Sequence, residues 1–428
     1  MDILVQQSEI SGTVSIPGSK SHTIRGLFFG ALADGMSILR QPLDSLDTRA
    51  AVSCCRSLGA EIELGEAWAV TGTGGRPEVP PDVIDVANSG TTLNIALSTA
   101  ALADGYTVFT GDDQIRRRPS QPLLDALALL GAEAFSTRGN GCPPIVVGGR
   151  LRGGRCELTA LSSQYLTSLL IGTPLAEADS EIEVAELHEA PYVWMTLDWL
   201  DRLGGRYERE GLARFSIPGG QRIPAFERAI PADFSSATFF LCAAAICGGP
   251  VTLRGLDMSD TQGDKAVVQM LRQMGAQVEE AEHGLVVSAE RLTGAELDLN
   301  ATPDALPALA VTACFADGET RLINVPQARI KETDRIAVMR AELSKMGGRV
   351  EELDDGLVIR GAELRGADVA GHGDHRVVMA LAVAGLAAAG TTRVFGAEAA
   401  AVTFPSFVEL VQGIGGEMET VDAPRPSA

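Results

Sequence analysis

Along the chain, Ala-rich apolar runs are followed by short alternating strands and then by amphipathic segments that stop at a Gly. The stops are Leu58-Gly59, Leu130-Gly131, Leu203-Gly204, Met274-Gly275, Met346-Gly347 and Ile414-Gly415. A Gly just past the last apolar residue is the usual end signal of an amphipathic helix. Successive stops lie 68 to 73 residues apart, so the pattern is an internal repeat. A β-rich stretch follows each stop, as in Ala60-Glu61-Ile62-Glu63-Leu64 and Ala276-Gln277-Val278-Glu279. Each unit therefore reads βαβαββ, and six units fill the chain.

A coarser symmetry overlies the repeat. Ser15-Ile16-Pro17-Gly18-Ser19 is echoed half a chain later by Ala229-Ile230-Pro231-Ala232-Asp233. Two pseudo-equivalent α/β domains of three units each are predicted. One spans residues 19–230; the other joins 1–18 to 231–428, with crossings near 18 and 231. A continuous six-unit solenoid is the other arrangement, but the Pro-marked halves favour two globules with a cleft between them. A chain of 428 residues is also too long for one hydrophobic core.

Composition narrows the function classes. Hydrophobic residues make up 45%, as in a globular protein, while 35 Lys plus Arg face 56 Asp plus Glu for a formal charge of -21. Such a surface repels nucleic acid and anionic membranes, so an anionic ligand needs a concentrated local site. The start, Met1-Asp2-Ile3-Leu4, has no basic segment and no long apolar run, so no secretory signal is expected. The apolar stretch Val377 to Gly390 is shorter than the roughly 20 residues a membrane span requires, and reads as a core helix. Seven cysteines without a Cys-x-x-Cys pair suggest reduced, buried thiols and a cytoplasmic protein. His22, His188, His283 and His372 lack metal-ligand spacing, so no metal is expected.

The first helix of each unit opens on small polar or acidic residues. These are Ser19-Lys20-Ser21, Asn88-Ser89-Gly90-Thr91, Ser162-Ser163-Gln164, Asp233-Phe234-Ser235-Ser236, Pro303-Asp304 and Asp374-His375-Arg376. Capping of the helix start explains any one of them. Their equivalence in all six repeats gathers them at one end of each domain, where free N–H groups and dipole ends favour phosphate and carboxylate. Cations stand beside them: Lys20, Arg25, Arg116-Arg117-Arg118, Lys331, Arg335 and Arg376. A solvated charge run is the plain alternative for the three consecutive arginines, which are too few to bind nucleic acid.

At these residues the chain resembles the 5-enolpyruvylshikimate-3-phosphate synthase family over essentially its whole length. The motifs are Pro17-Gly18-Ser19-Lys20-Ser21 with Arg25, Asn88-Ser89-Gly90-Thr91-Thr92, Arg118-Pro119, Ser162-Ser163-Gln164-Tyr165, Pro231-Ala232-Asp233, Pro303-Asp304, Ile330-Lys331-Glu332-Thr333-Asp334-Arg335 and Asp374-His375-Arg376. The resemblance implies two inside-out α/β domains with the active site in the interdomain cleft, and no organic cofactor or metal. It implies transfer of the enolpyruvyl group of phosphoenolpyruvate to the 5-hydroxyl of shikimate 3-phosphate, by a protein expected to be monomeric. Lys20, Ser21, Arg25, Ser162, Ser163, Gln164, Tyr192, Asp304, Gln327 and Lys331 would hold shikimate 3-phosphate. Lys20, Gly90, Arg118, Gln164, Arg335 and Arg376 would hold phosphoenolpyruvate, the site that glyphosate occupies in the family. Asp304 would take the proton of the attacking hydroxyl, and Glu332 with Lys20 would handle the proton at the methylene carbon.

Four positions depart from the family pattern. Asn94 stands where many members carry Arg, Gln327 replaces an Asn and Val402 replaces a Lys. Glu189 stands where a phosphate-contacting Ser is common, so its carboxylate is expected to point away from the phosphate. The sister enzyme acting on UDP-N-acetylglucosamine shares the fold but typically has a Cys in the loop that here runs Gly111 to Gln121, which contains none. A non-catalytic binding protein is the reading from another class, and Lys20, Asp304 and Glu332 speak against it.

Overall fold

The computed structural model describes residues 1–422. The chain forms two compact units: Gly18–Pro231, and Met1–Pro17 together with the chain from Ala232 onward. Among the described residues the helices fall into pairs. In the first unit these are α1 (Lys20–Leu32) with α2 (Leu46–Ser57), α3 (Gly90–Ala100) with α4 (Gln121–Leu129), and α5 (Ser163–Gly172) with α6 (Ala190–Arg202). In the second they are α7 (Phe234–Ile246) with α8 (Ala266–Gln273), α9 (Leu306–Cys314) with α10 (Arg335–Lys345), and α11 (His375–Ala387) with α12 (Phe407–Gly413).

The first helix of each pair is apolar around nearly its whole circumference, and that dictates its place. Twelve residues of α7 and all nine of α9 are buried. A helix without a polar face has to sit inside a core. Within one unit α1 packs on α3 and α3 on α5, and within the other α7, α9 and α11 pack on one another. Four-stranded sheets cover these helices. Each sheet follows one pattern, shown by Ile84–Asp85, Tyr106–Thr110, Ile145–Gly148 and Glu133–Ser136: a parallel pair, then two antiparallel neighbours. The outer helices end where the repeat signal places them. Gly59, Gly131, Gly204, Gly275, Gly347 and Gly415 all have positive φ, a conformation that L side chains avoid.

The sequence pattern suggested six contiguous repeats, but two strands depart from that order. Gly12–Ser15, which precedes α1, pairs in parallel with Val251–Arg254. Glu227–Ala229, which precedes α7, pairs in parallel with Met36–Arg40. Each strand stays with the unit the chain is about to leave, so the two are exchanged relative to their helices. The first strand, Asp2–Gln6, lies antiparallel between Thr391–Phe395 and Met418–Val421. The crossings are tied down by backbone bonds: Ser19 N–H donates to the Pro231 carbonyl at 2.8 Å, and Asp233 N–H to the Pro17 carbonyl at 2.9 Å. Gly18 is needed here, since a Cβ would lie 2.3 Å from the Gln41 carbonyl oxygen.

Candidate functional site

Within Gly18–Pro231 the starts of α1, α3 and α5 are capped by Ser19, Ser89 and Ser162, each accepting a backbone N–H of the first turn. On α1, Lys20 Nζ lies 3.1 Å from Asp47 Oδ2 in the first turn of α2, and both side chains are mostly buried. The starts of α3 and α5 meet. Gln164 Nε2 donates to Thr91 Oγ1 at 3.2 Å, and a Cβ on Gly90 would stand 2.8 Å from Arg118 Nη1. Gly90, Arg118 and Gln164, all assigned to phosphoenolpyruvate, are thus neighbours. Tyr165 holds the loop of Arg118 in place by donating its hydroxyl to the Pro119 carbonyl at 2.6 Å. Burial, aided by the charge of Glu189, pushes that phenol up to about 12, so it stays a donor.

Arg25 lies one turn into α1 and is 2% exposed. Its Nε donates to Thr196 Oγ1 at 2.9 Å, Nη1 to the Ser21 carbonyl at 3.0 Å, and Nη2 to Thr167 Oγ1 at 3.2 Å and the Tyr192 carbonyl at 3.0 Å. All four partners are neutral. Burial pulls its pKa down to about 10, partly offset by Tyr192. Ser21 and Tyr192 therefore support Arg25 through their carbonyls. Glu189 does not turn away from α5. Its Oε2 accepts from Ser163 Oγ at 2.9 Å and from Ser163 N–H at 3.4 Å, and it is 2% exposed in a left-handed conformation. A carboxylate at a helix start gains from the free N–H groups and the dipole, which offsets its burial.

In the other unit a single guanidinium organises the site. Arg335, 1% exposed at the start of α10, donates from Nε to Asp374 Oδ2 at 2.8 Å, from Nη1 to Asp304 Oδ1 at 2.6 Å and from Nη2 to Glu332 Oε2 at 2.5 Å. Arg376 Nη2 lies 2.8 Å from Asp304 Oδ2, so Asp304 bridges two arginines. Burial works against the charge of Arg335, but Asp374, Glu332 and Asp304 outweigh it and hold its pKa well above the ordinary value. Asp374 also caps α11 by accepting from Arg376 N–H at 2.8 Å. The start of α9 differs from the other five: a 3-10 turn, Pro303–Ala305, leads into it, and Asp304 gives its carboxylate to the arginines instead of to a cap. Gln327 Nε2 donates to the Asn300 carbonyl at 2.9 Å, and its buried Oε1 has no hydrogen-bond partner among the described residues. Lys331 directly follows a second 3-10 turn, Pro326–Ile330, which carries Gln327.

Several participants carried no role in the sequence reading. Asp47 looks like an ordinary acidic residue in a first helical turn, and only the fold brings it to Lys20. Asp374 lies inside a quoted motif, yet its contact with Arg335 spans 39 positions. Thr167 and Thr196 carry no local signal. No helix among the described residues is long and apolar enough to cross a membrane.

Comparison with known proteins gives a consistent result. The family model described as EPSP synthase (3-phosphoshikimate 1-carboxyvinyltransferase) matches residues 4–411. A 3-phosphoshikimate 1-carboxyvinyltransferase of Ruminiclostridium cellulolyticum is 54% identical over 422 residues, 98% of this chain and 100% of that protein. Its counterpart in Acetivibrio thermocellus is 55% identical over 423 residues, 99% of this chain and 100% of that protein. The solved EPSP synthase of Acinetobacter baumannii superposes with a TM-score of 0.83 at 28% identity, covering 98% of this chain and 99% of that one.

Proposed function

Because the chain belongs to the EPSP synthase family, we propose that it transfers the enolpyruvyl group of phosphoenolpyruvate to the 5-hydroxyl of shikimate 3-phosphate, with the residues of the two helix-start clusters sharing the work. Lys20, Arg25, Ser162, Ser163, Gln164, Asp304, Gln327 and Lys331 receive shikimate 3-phosphate, with Ser21 and Tyr192 supporting Arg25. Lys20, Gly90, Arg118, Gln164, Arg335 and Arg376 receive phosphoenolpyruvate. Arginine suits both ligands because its planar fork matches carboxylate and phosphate oxygens.

The chemistry is addition followed by elimination. Asp304 takes the proton from the attacking hydroxyl while Glu332, with Lys20, delivers a proton to the methylene carbon. The tetrahedral intermediate keeps its phosphate until the reverse proton transfers expel it. The observation that carries this reading is the pair of acids on one guanidinium. Asp304 and Glu332 sit 2.6 and 2.5 Å from Arg335, which sets two proton-transfer groups side by side. All seven cysteines are buried and unbridged, which supports a reducing, cytoplasmic setting. Both clusters lie on one chain, which supports a monomeric working form.

Two measurements test this. Phosphoenolpyruvate plus shikimate 3-phosphate should release one phosphate per enolpyruvyl transferred, without added metal, and UDP-N-acetylglucosamine should release none. Shikimate 3-phosphate at a hundredfold excess over Kd should stabilise the protein by about 2.7 kcal/mol and raise Tm by a few degrees. Unphosphorylated shikimate should do much less. Stabilisation by the UDP-sugar instead would overturn the acceptor assignment.

A further inference from the structure

Asn94 lies one turn into α3, 7% exposed, and both hydrogens and the oxygen of its side-chain amide are engaged. Its Nδ2 donates to the Gly90 carbonyl at 3.0 Å and to Gln164 Oε1 at 2.8 Å, while its Oδ1 accepts from Ser120 Oγ at 2.9 Å. The three partners come from the start of α3, the start of α5 and the loop just after Arg118-Pro119. Those are the segments that gather around Gly90, Arg118 and Gln164.

The orientation of this chain of amides follows from one atom. The Gly90 oxygen is a carbonyl and can only accept, so the Asn94 atom facing it must be the nitrogen. That same nitrogen faces Gln164, so Gln164 must turn its oxygen toward Asn94. Its Nε2 then points the other way, where it donates one hydrogen to Thr91 Oγ1 and keeps a second. Thr91 cannot set this direction alone, because a hydroxyl both donates and accepts. We propose that Asn94 is a positioning residue that fixes the Gln164 amide so that it offers a donor, not an acceptor, to the anionic phosphoenolpyruvate. Without it, Gln164 is free to turn its oxygen lone pairs toward the anion. This inference rests on the reading that Gln164 serves the phosphoenolpyruvate site.

The test is a double-mutant cycle on the full chain. Asn94→Leu is uncharged, keeps the branch at Cγ and removes both donated hydrogens, though it is the bulkier side chain. With shikimate 3-phosphate saturating, it should raise KM for phosphoenolpyruvate by about 10- to 100-fold, the range for losing a hydrogen bond to a charged group. KM for shikimate 3-phosphate should rise by a clearly smaller factor, since Gln164 is only one of several groups assigned to that ligand. In a Gln164→Ala background the same Asn94→Leu change should have almost no further effect, because the two residues act as one unit. An equal effect in both backgrounds, or an equal rise in both KM values, would overturn the proposal. Should Asn94→Leu fail to fold, as judged from Tm, Asn94→Asp serves. A carboxylate cannot donate, so it draws Nε2 of Gln164 toward itself, and most of its effect should vanish with Gln164→Ala. Gln164→Ala alone separates the two readings. If it leaves KM for phosphoenolpyruvate unchanged, Gln164 is not in that site and the inference falls with the assignment. If it raises KM while neither Asn94 variant does, only the positioning role fails.

Discussion

Arg25 and Arg335 solve one problem in opposite ways. Each is a buried arginine near a helix start, one in each unit, and each commits four of its five N–H donors, leaving one Nη1–H. Arg25 gives its four to hydroxyls and carbonyls, and no carboxylate pairs with it among the described residues. Arg335 gives its four to three carboxylates. A buried charge without a counterion is costly, so Arg25 holds an unmet demand that an arriving anion satisfies. Arg335 is already overfilled with negative charge and gains little from another anion. The difference separates holding a ligand from holding a pair of acids. On the proposed assignment of the site, phosphoenolpyruvate should then depend less on Arg335 than on Arg118.

The largest effect should follow from breaking the carboxylate side. Arg335→Leu leaves Asp304, Glu332 and Asp374 together without their central cation. Removing one partner from such a buried group costs about 3–5 kcal/mol, which at about 2–4 °C per kcal/mol is a loss of roughly 10 °C in Tm. Activity should fall by at least about 10²-fold as Asp304 and Glu332 lose their alignment. A calorimetric scan showing wild-type Tm would contradict the idea that these acids depend on Arg335.

The matching change on the neutral side should look different. Arg25→Leu removes a charge whose partners keep other bonds: Thr167 and Thr196 remain 2.9 Å apart, and Thr196 still donates to the Tyr192 carbonyl at 3.0 Å. Stability should drop by no more than about 1–3 kcal/mol. KM for shikimate 3-phosphate should rise by about 30-fold or more, the scale for losing one partner of a buried charge pair. A loss of stability equal to that of Arg335→Leu, with KM untouched, would erase the contrast between the two arginines.

How far the sequence carried these conclusions depended on the range of each signal. The Gly stops report a local turn, so they placed the outer helix ends at Gly59 and Gly347. The helix starts were legible because capping is local too, and Asp304 escaped that rule because its carboxylate is claimed by Arg335 and Arg376. The strand exchange around Pro17 and Pro231 was hidden, since a strand's pattern does not say which partner it meets. The same limit hid Asp47, Thr196 and Asp374, whose partners lie 27, 171 and 39 positions away. Glu189 was visible as an anomaly, but its direction was not: charge repulsion suggested it turns away, and the backbone N–H of Ser163 drew it in.

A smaller effect sharpens the ligand-holding side. Gly90→Ala puts a Cβ 2.8 Å from Arg118 Nη1, the far end of a flexible side chain. The guanidinium can yield by a few tenths of an ångström, so KM for phosphoenolpyruvate should rise only a few-fold, about 1 kcal/mol or less. Glyphosate, the longer ligand, should be weakened more. Ala also favours a helix over Gly, so Tm should hold or rise slightly. Equal losses for both ligands would mean that Gly90 does not set the room at this site.

The smallest effect reads the demand of Arg25 directly. Its pKa stands at about 10 because burial disfavours the charge. Above that pH the free protein holds Arg25 partly neutral. Bound phosphate favours the charged form and lifts the pKa back toward its ordinary value, so between the two values binding must take up a proton. The sign is fixed: affinity for shikimate 3-phosphate weakens as pH rises through about 10, and binding there is accompanied by proton uptake. Titration calorimetry near pH 9.5, in buffers of different ionisation enthalpy, should register an uptake of roughly a few tenths of a proton. The informative quantity is the difference from Arg25→Leu, which should show less uptake. Arg335 predicts the opposite: its carboxylates hold its pKa well above the ordinary value, so it stays charged with or without ligand and contributes no proton. Uptake that is the same with and without the Arg25 side chain would show that its neutral surroundings leave no demand for an anion.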